Sequence, residues 1–389
     1  MWAKLFKKWN YCKTNLIQKY MQFIDLHAQQ RRIRDKIENN ILKVLDHGKY
    51  ILGPEVTQLE EQLAEYVGVK QAIGVASGTD ALLMPLMAND VGPGDAVFTV
   101  PFTFFATAEV IKLTGATTVF VDIEPNTFNI DPVKLEEEII RVKKEGKLNL
   151  KGIIPVDLFG QAADYDEINE IAKKYDLFVL EDAAQSFGGS YKNRKNCSLA
   201  DVAATSFFPA KPLGCYGDGG MIFLNNNDIY EKLLSIRVHG QGTDKYDNIR
   251  IGINGRIDSM QCAVLLAKME IFDEEIELRQ EVADYYSKGL KDVVKVPYIH
   301  DYNISAWAQY SVLHPEREKI IKNLNEAGIP VAIYYPKPIH IQDSFSDLGH
   351  TANDFSVSMS VAGQVFSLPM YPYLGKNDQD KIIEIIKNA

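Results

Sequence analysis

Little in this sequence suits disulfide stapling, metal chelation or nucleic acid. Its four cysteines (Cys12, Cys197, Cys215 and Cys262) form no CxxC pair, so neither a disulfide framework nor a zinc knuckle is encoded. The seven histidines include no HExxH or HxxxH arrangement, and no metal site is expected. Basic residues are in deficit, 42 Lys and Arg against 52 Asp and Glu for a net charge of -10, which leaves no excess cation to neutralise a phosphate backbone. The apolar runs are too short for a membrane span or a signal-peptide core. Fixed-period repeats and low-complexity tracts are absent too. These absences describe a reduced, metal-free, cytoplasmic protein that binds no nucleic acid. What remains is ordinary globular composition, 46% hydrophobic and 24% charged over 389 residues, enough for a large domain with a smaller partner.

Residues 1–20 stand apart. Lys4, Lys7, Lys8, Lys13 and Lys19 occur there without Asp or Glu, and Trp2, Leu5, Phe6 and Trp9 have helix-like spacing. Any membrane contact is expected only through this basic leader. Met21 opens a segment that reads as a natural start, so the leader is expected to be a start-site extension.

From about Ile24 to Tyr50, apolar positions Ile33, Ile37, Ile41, Val44 and Leu45 recur at helical spacing and stop at Gly48. A second amphipathic stretch, Val56 to Val67, stops at Gly68, and a strand-like Ala72 to Ala76 leads into Ser77-Gly78-Thr79. The runs Ala96 to Val100, Thr117 to Val121, Gly152 to Val156, Leu177 to Leu180 and Val202 to Phe207 alternate with helical stretches at Phe105 to Leu113 and Asp166 to Tyr175. Such alternation predicts an α/β fold with a mainly parallel sheet, closing near Met221 to Leu224. One long helical stretch, Ser259 to about Leu290, is expected to link this domain to a smaller C-terminal α/β unit. The expected division is a leader at 1–20, a large domain at 21–265 and a small domain at 266–389.

Three segments carry chemistry. In open α/β sheets ligands gather at the carboxyl ends of strands, and anions at helix starts. Ser77-Gly78-Thr79 lies at both, with Gly78 allowing close approach and Thr79 a hydroxyl; the alternative is that Ser77 or Thr79 only caps the helix. The strand Phe178 to Asp182 delivers a carboxylate that suits a protonated pyridine nitrogen, unless Asp182 merely caps the next helix. Lys211 follows Asp182 by 29 residues, after an aromatic run and before Gly217-Asp218-Gly219-Gly220. Those surroundings would desolvate its amine and lower its pKa. A solvated lysine is the ordinary alternative.

In order and spacing, Ser77-Gly78-Thr79, Glu181-Asp182-Ala183-Ala184-Gln185-Ser186, Ser206 to Lys211 and Gly217-Asp218-Gly219-Gly220 resemble the DegT/DnrJ/StrS sugar aminotransferases, from about Phe23 to the C-terminus. The resemblance implies a fold-type I transferase dependent on pyridoxal 5'-phosphate, with a central mainly parallel seven-stranded sheet, a smaller C-terminal domain and a homodimer sharing its active sites. It makes Lys211 the Schiff-base lysine and proton shuttle, pairs Asp182 with the pyridine nitrogen and puts Gln185 on the ring hydroxyl side. Phe104 would stack on the ring rather than pack in the core. Gly78, Thr79 and Ser206 would bind phosphate, and Asn254 would reach it from the partner subunit. The amino donor is expected to be L-glutamate. The acceptor is expected to be a nucleotide-linked keto-sugar, in the subgroup that aminates carbon 3 of UDP-linked 3-keto-N-acetylglucosaminuronate for bacterial surface polysaccharide. Arg256 would then meet the uronate carboxylate, or make a surface or dimer-interface salt bridge instead. Two departures bear on the sugar: Tyr334 and Tyr371 stand where related chains carry His. His239 and His340 are further candidate sugar contacts, each with a surface histidine as its alternative. Alternatives for the whole chain are an aminotransferase for another UDP- or dTDP-keto-deoxysugar, a sugar dehydratase using the same cofactor, or a regulatory relative.

Overall fold

The computed structural model describes residues 21–389 apart from Lys245; the basic leader lies outside the described residues. Helix α1 (Leu26–His47) buries Ile33, Ile37 and Val44 and ends at Gly48, whose φ of 68° lets its amide close on the Val44 carbonyl. Helix α2 (Pro54–Val67) begins with Pro54 and ends at Gly68. There follow β1 (Gln71–Val75), α3 (Gly78–Ala88), β2 (Asp95–Thr99), α4 (Ala106–Leu113), β3 (Thr117–Phe120), α5 (Pro132–Glu145), β4 (Asn149–Ile154), α6 (Tyr165–Tyr175) and β5 (Phe178–Asp182). The short β6 (Ser190–Tyr191) and β7 (Arg194–Lys195) precede β8 (Val202–Ser206), β9 (Gly220–Leu224) and α7 (Asn227–Ile236).

Seven strands form one sheet in the order β1-β9-β8-β5-β4-β2-β3. All neighbours are parallel except β9, which is antiparallel to both β1 and β8. The expected fold class is therefore the observed one. Both faces are covered, which is why strands such as Gly220–Leu224 are apolar throughout and fully buried. One face packs on α3, α4 and α7 through residues such as Leu82, Val110 and Ile236. The other packs on α5 and α6 through Leu135, Ile139 and Ile168, and on α2 through Leu59 and Leu63.

The expected single helix from Ser259 to Leu290 is two, α8 (Ser259–Met269) and α9 (Phe272–Leu290). Ile271 breaks them, with φ -119°, and packs toward the cluster of Ile33, Ile37, Val264 and Ala267. The acidic residues Asp273, Glu274 and Glu275 fill the first turn of α9, where the helix dipole favours them. The division expected at 265/266 falls inside α8. Cluster membership changes later, along α9: Phe272 and Ile276 pack with the large sheet, Val282, Tyr286 and Leu290 with the C-terminal unit. That unit contains β11 (Tyr310–Leu313), α10 (Arg317–Glu326), β12 (Val365–Leu368) and α12 (Lys376–Lys387), whereas β10 (Asn303–Ile304) pairs with β6 and α11 (Ser356–Gln364) packs Val361 and Ala362 into the core of the large sheet. Met21 and Ile24 pack against the core of the C-terminal unit. Among the described residues no helix is long and apolar enough to cross a membrane, and no group of three or more His, Cys, Asp or Glu could hold a metal ion.

Candidate functional site

Because β9 is antiparallel to both neighbours, β1 and β8 run in the same direction, and β5 runs parallel to β8. The carboxyl ends of all three therefore meet at one sheet edge, which brings together Ser77-Gly78, Asp182 and Ser206. The Ser77 hydroxyl accepts from the Asp80 amide at 3.0 Å, so this residue does cap α3. The next residue has a different task. A Cβ on Gly78 would lie 2.7 Å from the Ser206 Cβ and 3.0 Å from its Oγ, so the helix start and the end of β8 touch only because position 78 lacks a side chain. Amides of a first helical turn above this contact are suited to an anion.

Asp182 is 4% exposed. Its Oδ2 accepts the Thr107 hydroxyl at 2.8 Å and its Oδ1 the Ala184 amide at 3.2 Å. Burial pushes its carboxyl pKa up, opposed by those two hydrogen bonds and by the charge of Lys211. Lys211 sits on a turn closed at its base: Phe207 donates to Gly219, Cys215 donates to Phe207, and the Lys211 amide itself donates to Phe208, each at 2.8 Å. Desolvation lowers the Lys211 amine to about 8, with Asp182 pulling the other way. The chain thus gathers a carboxylate in need of a cation and an amine that is largely nucleophilic in mildly basic solution.

An aromatic wall adjoins them. Phe104 is 57% exposed, so its core-packing alternative does not hold, while neighbouring Phe102 is fully buried. Its ring lies 6.4 Å from that of Tyr335. Gln185 is fixed from two sides, its Oε1 accepting the Phe159 amide at 2.8 Å and its Nε2 donating to the Tyr335 hydroxyl at 3.2 Å. The buried Asp157 accepts the Ser186 hydroxyl at 2.7 Å and so anchors the residue after Gln185. Sequence reasoning missed Thr107 and Tyr335. Thr107 offered one signal, a polar residue on the first turn of a helix that follows an aromatic run, whereas Tyr335 offered none.

The remaining candidates are dispersed. Asn254 is exposed, bridged by backbone to Val238, on a loop that also exposes Ile249 and Ile251. Arg256 bridges to Val75, next to the Ser77-Gly78 turn, and its buried Nε has no hydrogen-bond partner among the described residues. His239 is exposed with φ 63°. Tyr334 is half-buried, its ring 6.3 Å from Phe23 and 5.8 Å from Tyr335. Tyr371 is buried in the C-terminal core. His340 corrects the sequence reading: it is 1% exposed rather than on the surface. Its ring packs against Phe355 and His350, beside edge strand β3, and burial lowers its pKa. An apolar cluster built from Phe120, Ile339 and Phe345 recruits it there.

Comparison with known proteins agrees with this geometry. The family model for the DegT/DnrJ/EryC1/StrS aminotransferases matches residues 31–387. A Pseudomonas aeruginosa protein, UDP-2-acetamido-2-deoxy-3-oxo-D-glucuronate aminotransferase, is 51% identical over 355 residues, covering 91% of this chain and 96% of its own. The crystal structure of an aminotransferase of the same family from Brucella abortus superposes with a TM-score of 0.92 at 50% identity, covering 95% of this chain and 99% of that one. A Streptococcus pneumoniae sugar aminotransferase in its PLP form gives a TM-score of 0.84 at 25% identity, covering 91% of this chain and 95% of that one. The residues present fit pyridoxal phosphate: a buried carboxylate facing an amine, an anion cradle that a Cβ would fill, and an exposed aromatic face beside them.

Proposed function

The chain belongs to the DegT/DnrJ/EryC1/StrS aminotransferase family, and from that premise we propose that it transfers the amino group of L-glutamate to the 3-keto carbon of UDP-2-acetamido-2-deoxy-3-oxo-D-glucuronate. The acceptor follows from the Pseudomonas relative's named substrate and the near full-length likeness to it. One observation carries the chemistry: a desolvated Lys211 amine and a buried Asp182 carboxylate, each acting on the other's charge.

When bound, pyridoxal phosphate supplies an electron-withdrawing ring and a carbon that can carry the amino group between donor and acceptor. Asp182 would keep the ring nitrogen protonated, and the Thr107 hydroxyl and Ala184 amide fix its two oxygens. Gly78, Thr79 and Ser206 would hold the phosphate, Phe104 and Gln185 would border the ring, and the Lys211 amine would both hold the cofactor and serve as the acid and base that moves a proton at the substrate. Arg256, bridged to Val75 beside the Ser77-Gly78 turn, would turn its guanidinium to an anionic group of the sugar nucleotide.

The functional unit is a homodimer in which Asn254 reaches the partner's phosphate. Exposed apolar residues on the same loop, Ile251 at 84% and Ile249 at 57%, support this reading. A nucleotide-linked substrate and three cysteines present as free thiols (Cys197, Cys215 and Cys262) suit the cytoplasm.

Purified protein is expected to show a visible Schiff-base absorbance that glutamate bleaches. Offered UDP-, dTDP- and GDP-linked keto-sugars, it should form amino-sugar from the 3-keto UDP-uronate, with equimolar 2-oxoglutarate. Lys211→Ala should lose both the absorbance and turnover; retained turnover would remove Lys211 from its role.

A further inference from the structure

Helix α8 carries a buried lysine that this mechanism does not use. Lys268 is 1% exposed. Burial lowers its pKa to about 8, with Glu275 pulling the other way, so a charged amine there needs partners in the fold. Its Nζ donates to the Gly214 carbonyl at 2.5 Å and lies 4.5 Å from the centre of the Tyr216 ring. The opposing charge that acts on it, Glu275 of α9, has its own oxygens engaged by Gln29 and Tyr373.

The carbonyl that Lys268 holds belongs to the turn that carries Lys211. Gly214 is packed so tightly that a Cβ there would lie 2.5 Å from the Pro209 carbonyl oxygen and 2.7 Å from that of Phe208. The turn therefore folds back on itself between Pro209 and Gly214, with Lys211 in the limb between them. On the far side of Gly214, Cys215 closes the turn on Phe207. Lys268 and this backbone hydrogen bond thus hold the two ends of one peptide group, the Gly214 carbonyl and the Cys215 amide.

We propose that Lys268 is a positioning residue for the Lys211 amine: its ammonium, seated between the Gly214 carbonyl and the Tyr216 ring, fixes the Pro212–Gly214 limb and with it the place where the Lys211 side chain enters the site. This rests on the role given to Lys211 above. Without the clamp, the limb moves and Lys211 gains water, which favours the protonated amine, so its pKa should rise.

The test compares wild type, Lys268→Met and Lys211→Ala. In cofactor-free protein, acylation of Lys211 is followed against pH by peptide mass spectrometry. In reconstituted enzyme, kcat and the glutamate KM are measured. Wild type should show its acylation midpoint at about 8. In K268M the midpoint should rise by about 0.5 pH unit or more. Its kcat should fall at least about tenfold, with KM changed by less than about threefold, since a misplaced amine impairs the reacting geometry more than substrate binding. A folded K268M with wild-type midpoint and kcat overturns the proposal. If K268M does not accumulate as folded protein, Tyr216→Leu carries the same reading: removing the ring should move the midpoint upward, and an unmoved midpoint overturns the proposal. Active K211A would instead overturn the role of Lys211, an outcome the acylation midpoint of K268M cannot mimic.

Discussion

The behaviour of Asp182 depends on a hydroxyl that contributes no charge. Thr107 donates to Asp182 Oδ2 from the first turn of α4, and Thr107→Val keeps the shape while leaving one buried carboxylate oxygen without that donor. Such a loss is worth about 1–3 kcal/mol, so kcat/KM should fall roughly 5- to 100-fold if the oxygen faces its partner in the transition state. Steady-state kinetics with both substrates check this, and a change under about twofold would show that the hydroxyl is dispensable. Lys211 yields a pH expectation with a definite sign. Capture of pyridoxal phosphate by cofactor-free protein needs the neutral amine, and burial lowers that amine to about 8. The capture rate should level off above about 8 and fall roughly tenfold per pH unit below it. A rate still climbing steeply beyond pH 10 would mean an ordinary solvated lysine.

At the scale of elements, the site depends on the start of α3 lying against the end of β8. Gly78→Ala would place its Cβ 2.7 Å from that of Ser206, separating helix and strand where the phosphate belongs. The expected result is a folded protein with weakened cofactor binding, read by titrating absorbance at increasing pyridoxal phosphate. Gly68→Ala is the control. That glycine has φ 81° with nothing within 4 Å of an added Cβ, so it should cost about 1–2 kcal/mol of stability through backbone strain alone and leave cofactor affinity unchanged. Equal cofactor loss in both variants would rule out a local effect. The parallel strands and the residues at their carboxyl ends were legible in the chain because buried strands are continuous apolar runs and Asp182 and Ser77 interrupt them. The break between α8 and α9 was not, since Glu270 and Ile271 are ordinary helix formers, while in the fold Ile271 packs against Ile33 and Ile37 of α1 and Val264 and Ala267 of α8. Nor was the burial of His340, whose ring meets Phe355 and His350 in a cluster completed by Phe120, more than 200 residues earlier in the chain. Tyr335 likewise meets Gln185 across 150 residues, a distance no local pattern spans.

At the scale of the whole molecule, the loop of Ile249, Ile251 and Asn254 is the surface that a second copy would cover in the proposed homodimer. An isoleucine 84% exposed, such as Ile251, is ordinary when isolated, but here it shares a loop with Ile249 at 57% and the polar Asn254. If that loop is covered by a second copy, a charge placed in it must be desolvated on association, and Ile251→Asp should shift the protein to monomer. The sheet and its core lie elsewhere, so secondary structure and thermal unfolding of the monomer should stay close to wild type. Pyridoxal phosphate affinity and turnover should nevertheless fall together, because Asn254 would no longer reach the partner's phosphate. Light scattering across a concentration series, run beside cofactor titration, separates the possibilities. A fully active I251D monomer would make each chain's site self-sufficient and leave Asn254 without its role, whereas activity that returns as monomers are driven together by concentration ties catalysis to the paired state.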